Sequence, residues 1–415
     1  MKTKKTYMIF SVIILTCIFS APHALALKAD SADIKPMAKD NNAFAIDLYQ
    51  ALRTQEGNLF FSPYSISTAL AMTYAGARGE TEKQMAAVLH FQLPQERLHN
   101  AMNMLKAQIL WRGREDSYQM NIANALWVQK GFELLKGYID TTNKYYEAAL
   151  FFADFISNAK AQRLKINAWV EQQTQNKIRD LIQPGLLGSL TRLVLVNAIY
   201  FKGDWEEPFA ADLTKKDKFW LAADESTVTP MMRQTEHFNY AEDEDVQVLE
   251  MFYQGYDLSM IVILPKQKDD LDSLEGMLTQ NRLDEWIEQL ESKNVYVIFP
   301  KFTMTQGLML SQTLKSMGMT DVFSGMKADF SGMNGTLDIE KRLFINQVIH
   351  KAYVDVDEQG TEAAAATGVF MGDGFFPGIP EKPVLFRADH PFLFLIRDVE
   401  SGSILFLGRL TNPNQ

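Results

Sequence analysis

The sequence predicts an α+β fold with large sheets, on three observations. Helical periodicity concentrates in the first half, continuous apolar runs and strict alternation concentrate in the second, and no Pro-, Gly- or Ser-rich linker or internal repeat divides them. One domain is therefore expected rather than two. Of 415 residues, 47% are apolar and 22% charged, the composition of a chain that buries a core. The formal charge of −10 argues against nucleic acid as a partner, because phosphate binding depends on clustered basic side chains.

Lys2, Lys4 and Lys5 precede an apolar run at residues 8–19 and then Ala24-Leu25-Ala26, the small-x-small pattern of a cleaved secretory signal. The run is shorter than the roughly 20 residues a bilayer span needs. Residues 1–26 are thus expected to be removed, leaving 27–415 as the mature chain, extracellular or, from a source with two membranes, periplasmic. Cys17, the only cysteine, lies inside the signal, so the mature chain is expected to have no disulfide and no thiolate chemistry. No later stretch is long and apolar enough to imply stable membrane association.

Phe44, Leu48 and Leu52 follow Asn41-Asn42 at helical spacing, which reads as a capped helix stopping near Gly57. A short strand at Leu59-Phe60-Phe61 comes next. Ser62-Pro63 then opens a second helix, with a capping hydroxyl before a proline suited to the first turn. Thr81 and Gln84 have the spacing of a capping box for a third. Residues 164–170 are helical in pattern and end before Gln183-Pro184-Gly185. Later, residues 193–196, 260–264 and 392–396 are unbroken apolar runs, expected of strands covered on both faces. Val348, His350, Ala352, Val354 and Val356 alternate with more polar residues, giving a strand with one buried face. Residues 404–410 follow Ser401-Gly402 as the second arm of a terminal hairpin.

Enzyme chemistry has no visible constellation. G-x-S-x-G, H-E-x-x-H and the phosphate-binding P-loop are missing from the sequence, so no catalytic residue and no cofactor are assigned. His23, His90, His99, His237, His350 and His390 lack metal-ligand spacing, and no metal site is expected. The run Glu242-Asp243-Glu244-Asp245 reads as a solvated loop rather than a calcium loop. Gly372-Asp373-Gly374 begins a segment whose third glycine is misplaced for a nucleotide fingerprint and which Pro377 interrupts.

The informative stretch follows the alternating strand. Read as a strand, Thr361, Ala363, Ala365 and Thr367 share one face, while Glu362, Ala364, Ala366 and Gly368 share the other. The first set is small and nearly apolar, so the segment could slide into a packed sheet without displacing core side chains. An exposed flexible loop is the other reading of the same residues.

Here the chain resembles the serpins, the serine protease inhibitor family. The likeness rests on NLFFSPYSIS at 58–67, VNAIYFKGDW at 196–205, EQGTEAAAA at 358–366 and LFRADHPF at 385–392, in family order over the mature chain. It implies three β-sheets, eight or nine helices and an exposed reactive-centre loop at about 358–384. It also implies an irreversible suicide substrate for a serine protease, in some relatives for a papain-like cysteine protease. The family pattern maps a hinge onto Glu358, Gly360, Thr361, Glu362, Ala363, Ala364, Ala365, Ala366 and Thr367. Ser62, Ser65, Asn197 and His350 resemble the polar cluster under the opening sheet, and Trp205 and Lys301 the region where the loop first enters. Relatives of this kind act as monomers that can form loop-sheet polymers.

In such a mechanism the protease acylates itself on the loop, and the freed arm inserts as a new strand. A dozen or so residues would carry the protease roughly 40–50 Å. Counting forward from Glu358 by the family's usual loop length puts the reactive bond after Gly374, and counting back from Phe386 puts it near Pro377 or Gly378; side-chain chemistry favours cleavage after Phe375, hence a chymotrypsin-like target, with Phe376 and Gly374 as neighbouring candidates, Gly374 suiting an elastase-like one. The competing class is a non-inhibitory serpin acting as a binding or chaperone-like protein. Members of that class commonly carry bulky or charged hinge residues, which are missing from the inward set Thr361, Ala363, Ala365 and Thr367.

Overall fold

Helix α1 (Ile34–Leu52) begins well before the position its polar pair suggested. Asn41 and Asn42 are not caps. Their side-chain amides donate to the carbonyls of Ile404 (3.1 Å) and Gly402 (2.8 Å), and Asn42 accepts from the Ile404 N–H (2.8 Å), tying the helix to the last hairpin. This computed structural model describes residues 31–113, 118–147, 149–361 and 382–415. The signal through Ala26, the hinge residues Glu362, Ala363, Ala364, Ala365, Ala366 and Thr367, and Gly374, Phe375 and Phe376 lie outside the described residues.

Strand β1 (Leu59–Phe61) leads into α2 (Pro63–Tyr74), where Ser62 Oγ accepts the Ser65 N–H at 3.1 Å, the expected cap. Every residue of α2 is buried, so the helix runs through the core. Helix α3 (Gly79–Val88) starts ahead of the proposed capping box. Thr81 instead accepts the Asp329 N–H (2.9 Å), and Gln84 accepts those of Thr320 and Asp321 (3.0 and 2.8 Å). Then come α4 (Gln95–Arg112), β2 (Tyr118–Gln129), α5 (Lys136–Tyr146), β3 (Ala149–Ala153), α6 (Phe155–Gln173) and β4 (Leu193–Asp204).

The strand-rich half contains β5 (Lys215–Ala222), the long β6 (Glu225–Glu242), β7 (Val246–Phe252) and β8 (Leu258–Pro265). Short helices α7 (Leu271–Met277) and α8 (Gln280–Glu288) precede β9 (Glu291–Pro300) and β10 (Phe302–Met309). After α9 (Ser311–Ser316) and α10 (Ser331–Asn334) come β11 (Ile345–Val356), the two-residue β12 (Gly360–Thr361), β13 (Val384–Arg387), β14 (Phe392–Asp398) and β15 (Ile404–Leu410). The described residues thus hold ten α-helices, several of only one or two turns that periodicity cannot signal.

One sheet runs β10-β11-β12-β4-β2-β3, and a second network runs β1-β15-β14-β8-β7-β6-β9-β13 with β5 on β6. β6 belongs to two parts of that network. Met231–Tyr240 pair with β9, while Asn239–Glu242 pair with β7, so three sheets result. The six-stranded sheet is covered on both faces. Ile166 and Val170 of α6 pack on Val194, Val196 and Ala198, while Leu195, Ile199 and Phe201 face the main core with α2. This burial on both sides explains the unbroken apolar run at residues 193–196.

Candidate functional site

β4 and β11 are central neighbours in the six-stranded sheet and run parallel, paired from Leu193↔Ile345 to Tyr200↔Tyr353. Above Tyr200 they part. β12 fills the gap, antiparallel to both, with Thr361 opposite Val356 on one side and Gly203 on the other. The seam between β4 and β11 is therefore open at one end, and the first hinge residues already occupy the opening.

Each hinge residue there has a defined partner. A Cβ on Gly360 would collide with the Gly203 carbonyl oxygen and lie 2.6 Å from Asp204 Cα, so the backbones approach as closely as only glycine permits. Thr361 is fully buried, and its hydroxyl bonds that of Tyr253 at 2.9 Å. Tyr253 stacks on Trp205, ring centroids 4.6 Å apart. The Trp205 indole donates to the Asp357 carbonyl (3.1 Å) and its backbone N–H to the Gln359 carbonyl (2.6 Å). Lys301 and Thr214 both donate to the Glu358 carboxylate, Thr214 at 2.8 Å. Burial alone would raise Glu358, but these hydrogen bonds outweigh it and hold its carboxyl below the usual range. Trp205, Lys301 and Glu358 thus do meet where the hinge enters. Thr214 and Tyr253 join them, unannounced by any local pattern.

Lower in the same sheet lies a row of polar side chains. Asn124, Asn197 and His350 are register partners across β2, β4 and β11. His350 Nδ1 bonds the Asn197 side-chain oxygen, and its Nε2 accepts the Ser62 N–H at 3.1 Å, which requires the neutral ring. The Asn197 amide donates to the Ser65 carbonyl (2.9 Å) and to Asn124, and Ser62 Oγ donates to the Leu405 carbonyl (2.6 Å). Complete burial pushes His350 down to about 3. Ser62, Ser65, Asn197 and His350 are therefore one cluster. Asn124 was missed; its signal is a lone asparagine between Ala123 and Ala125 in an alternating strand, legible only once the register is known.

The far end of the loop is anchored by β13, which runs parallel to β9 from Val384↔Val295 to Arg387↔Ile298. Arg387 donates to Asp389 (2.6 Å) and to Asp217 (2.9 Å). Among the described residues, no group of three or more acidic, histidine or cysteine side chains could hold a metal ion, and no helix is long and apolar enough to cross a membrane.

Comparison with known proteins matches residues 39–413 to a family model described as Serpin (serine protease inhibitor). A bovine protein named leukocyte elastase inhibitor is 42% identical over 390 residues, covering 92% of this chain and 100% of its own length. Among solved structures, a serpin of the insect Tenebrio molitor, Serpin48, superposes with a TM-score of 0.79 at 33% identity, covering 91% of this chain and 98% of its own. Uncleaved ovalbumin gives 0.80 at 31% identity, covering 91% and 100%.

Proposed function

Because the chain belongs to the serpin family, whose members are described as serine protease inhibitors rather than enzymes, we propose that it inhibits serine proteases by loop cleavage and strand insertion. The observation that carries this reading is β12, a strand end seated in the open mouth of the β4–β11 seam. The bovine leukocyte elastase inhibitor supports a serine protease as target.

Continuing the register of Thr361 along β4 brings Met371 opposite Leu193, so residues 361–371 match the length of the seam. At about 3.3 Å per residue the arm would travel some 35 Å. Each new ladder bond contributes about 1 kcal/mol net, so insertion releases on the order of 10 kcal/mol, comparable with the roughly 5–15 kcal/mol that stabilises an ordinary domain. That is enough to distort a tethered active site before water completes deacylation. The aromatic pair Phe375-Phe376 supports a chymotrypsin-like target, and Gly374 an elastase-like one. The signal-like pattern at residues 1–26 supports export, which N-terminal sequencing of the purified protein would check.

Mixing the mature protein with chymotrypsin, elastase and papain separately tests the reading. At least one is expected to form an SDS-resistant complex of summed mass. Clean cleavage by every member of the panel with full protease activity remaining would overturn it.

A further inference from the structure

The residues just after β4 belong to a second concave feature besides the hinge entry. With β6, β7 and the turn that follows β7, residues 205–207 enclose a surface cavity of about 210 Å³. Four rings line it. Trp205 and Phe238 are buried and Phe252 is half-buried, while Tyr256 stands exposed in the turn with its ring centroid 5.3 Å from that of Phe252. The wall is held in place by its own backbone. The Glu206 N–H donates to the Phe252 carbonyl (2.9 Å), and the Gly255 N–H donates back to the Glu206 carboxylate (3.0 Å).

The polar groups of the cavity are mainly acceptors. Glu206 and Glu207 line it, and Glu236 lies beside them on β6. None of these three carboxylates has a basic partner among the described residues, and no described lysine or arginine lines the cavity. Partial burial, and after it the charges of Glu236 and Glu206, hold the Glu207 carboxyl above its ordinary value. Gln234 is only 8% exposed, and its amide nitrogen donates to the Glu207 carbonyl at 3.1 Å. Its side-chain oxygen, in the cavity wall, accepts a hydrogen bond from no described residue. An enclosed amide oxygen of this kind calls for a donor.

We propose that this cavity binds a guanidinium group. An occupant must bring positive charge to the carboxylates, N–H donors to Gln234 and Glu207, and a flat face to the rings. Guanidinium is planar, permanently charged and carries five donors in a fixed fork, and it stacks on aromatic faces. An alkylammonium lacks the flat face, and a quaternary ammonium has no N–H to give. Two sources offer this chemistry: a small free guanidinium compound, or an arginine side chain presented by another protein. The site does not depend on strand insertion, so the intact protein serves for its test.

Calorimetric titration with ethylguanidinium represents the free source, and with acetyl-Gly-Arg-Gly amide the presented side chain. Groups this small should bind with a Kd on the order of 1 mM. Tetramethylammonium and ethylammonium should bind about 10-fold more weakly or worse. Glu207→Gln keeps the shape, removes the charge and should weaken ethylguanidinium about 10-fold, in line with a charge-assisted hydrogen bond. Tyr256→Leu, which removes an exposed cation–π face, should weaken it about 2- to 5-fold. Glu96→Gln, on α4 and outside the cavity, is the control and should change nothing. Tighter binding of the peptide would identify a presented arginine, and tighter binding of ethylguanidinium a free compound; either supports the site. Unsaturable titrations with both probes, tetramethylammonium binding as well as ethylguanidinium, or an unchanged affinity in Glu207→Gln would each overturn it. So would an equal loss in Glu96→Gln, which would reduce the binding to a general effect of the protein's negative charge.

Discussion

Gly360 and Thr361 divide the work of seating the hinge: one permits the backbone approach and the other fills the space it opens. Gly360→Ala places a methyl against the Gly203 carbonyl, so the hinge should leave the sheet and release Trp205 from the Asp357 and Gln359 carbonyls. A shift in tryptophan emission with slower trapping is expected; unchanged emission would mean the close approach is not enforced. Thr361→Arg sets a charge into a fully buried position. It should convert the inhibitor into a substrate, read as cleavage without SDS-resistant complex, whereas a retained complex would deny that this residue must be swallowed. His350 makes a prediction about pH. Its folded value is about 3 against 6.5 unfolded, so the neutral ring favours the fold fully above pH 6.5. That contribution falls away by up to about 1.4 kcal/mol per pH unit as pH drops from 6.5 toward 3. His99, lowered to about 4 by burial, adds a similar slope over a narrower window. His350→Gln should therefore lower stability at pH 7 yet flatten its decline between pH 6.5 and 4.5. An unchanged slope in urea titrations would assign the acid sensitivity elsewhere.

At the level of elements, what was legible depended on how local the signal was. The alternation at residues 348–356 identified β11 and its buried face, because a strand's period is written in adjacent residues. The same logic put Thr361 on the inward side of the hinge, and its burial agrees. Asn41-Asn42 misled because a polar pair before an apolar helical face looks alike whether it caps the helix or reaches across to residues 402–404. Thr81 and Gln84 failed in the same way, their oxygens being taken by residues 320–329. The polar cluster came from family resemblance rather than from pattern. Even so, Asn124 and Tyr253 escaped, since their roles arise from cross-strand register and sheet-to-sheet packing between residues far apart in the chain. Short helices such as α9 and α10 were invisible because a single turn carries no period.

Across the whole molecule, the decisive feature is the direction of the strands at the seam. β4 and β11 pair parallel below Tyr200, while β12 is antiparallel to both above it. Extending β12 downward would replace one parallel ladder with two antiparallel ones, adding a strand and exchanging the slightly weaker pairing for the stronger. On the proposed mechanism the uncleaved chain is restrained from this exchange, because β13 is tied to β9 and through Arg387 to Asp217, which fixes the chain on the far side of the loop. Cutting between Thr361 and Val384 removes that restraint while leaving every other element in place. The gain of about 10 kcal/mol, set against the unfolding entropy of a chain this size, corresponds to a melting temperature higher by roughly 10 °C or more. Calorimetry before and after limited proteolysis of the loop measures this directly. A cleaved protein that melts at the same temperature as the intact one would show that the arm stays outside the sheet, and the open mouth at β12 would then be a rigid end rather than the start of a strand.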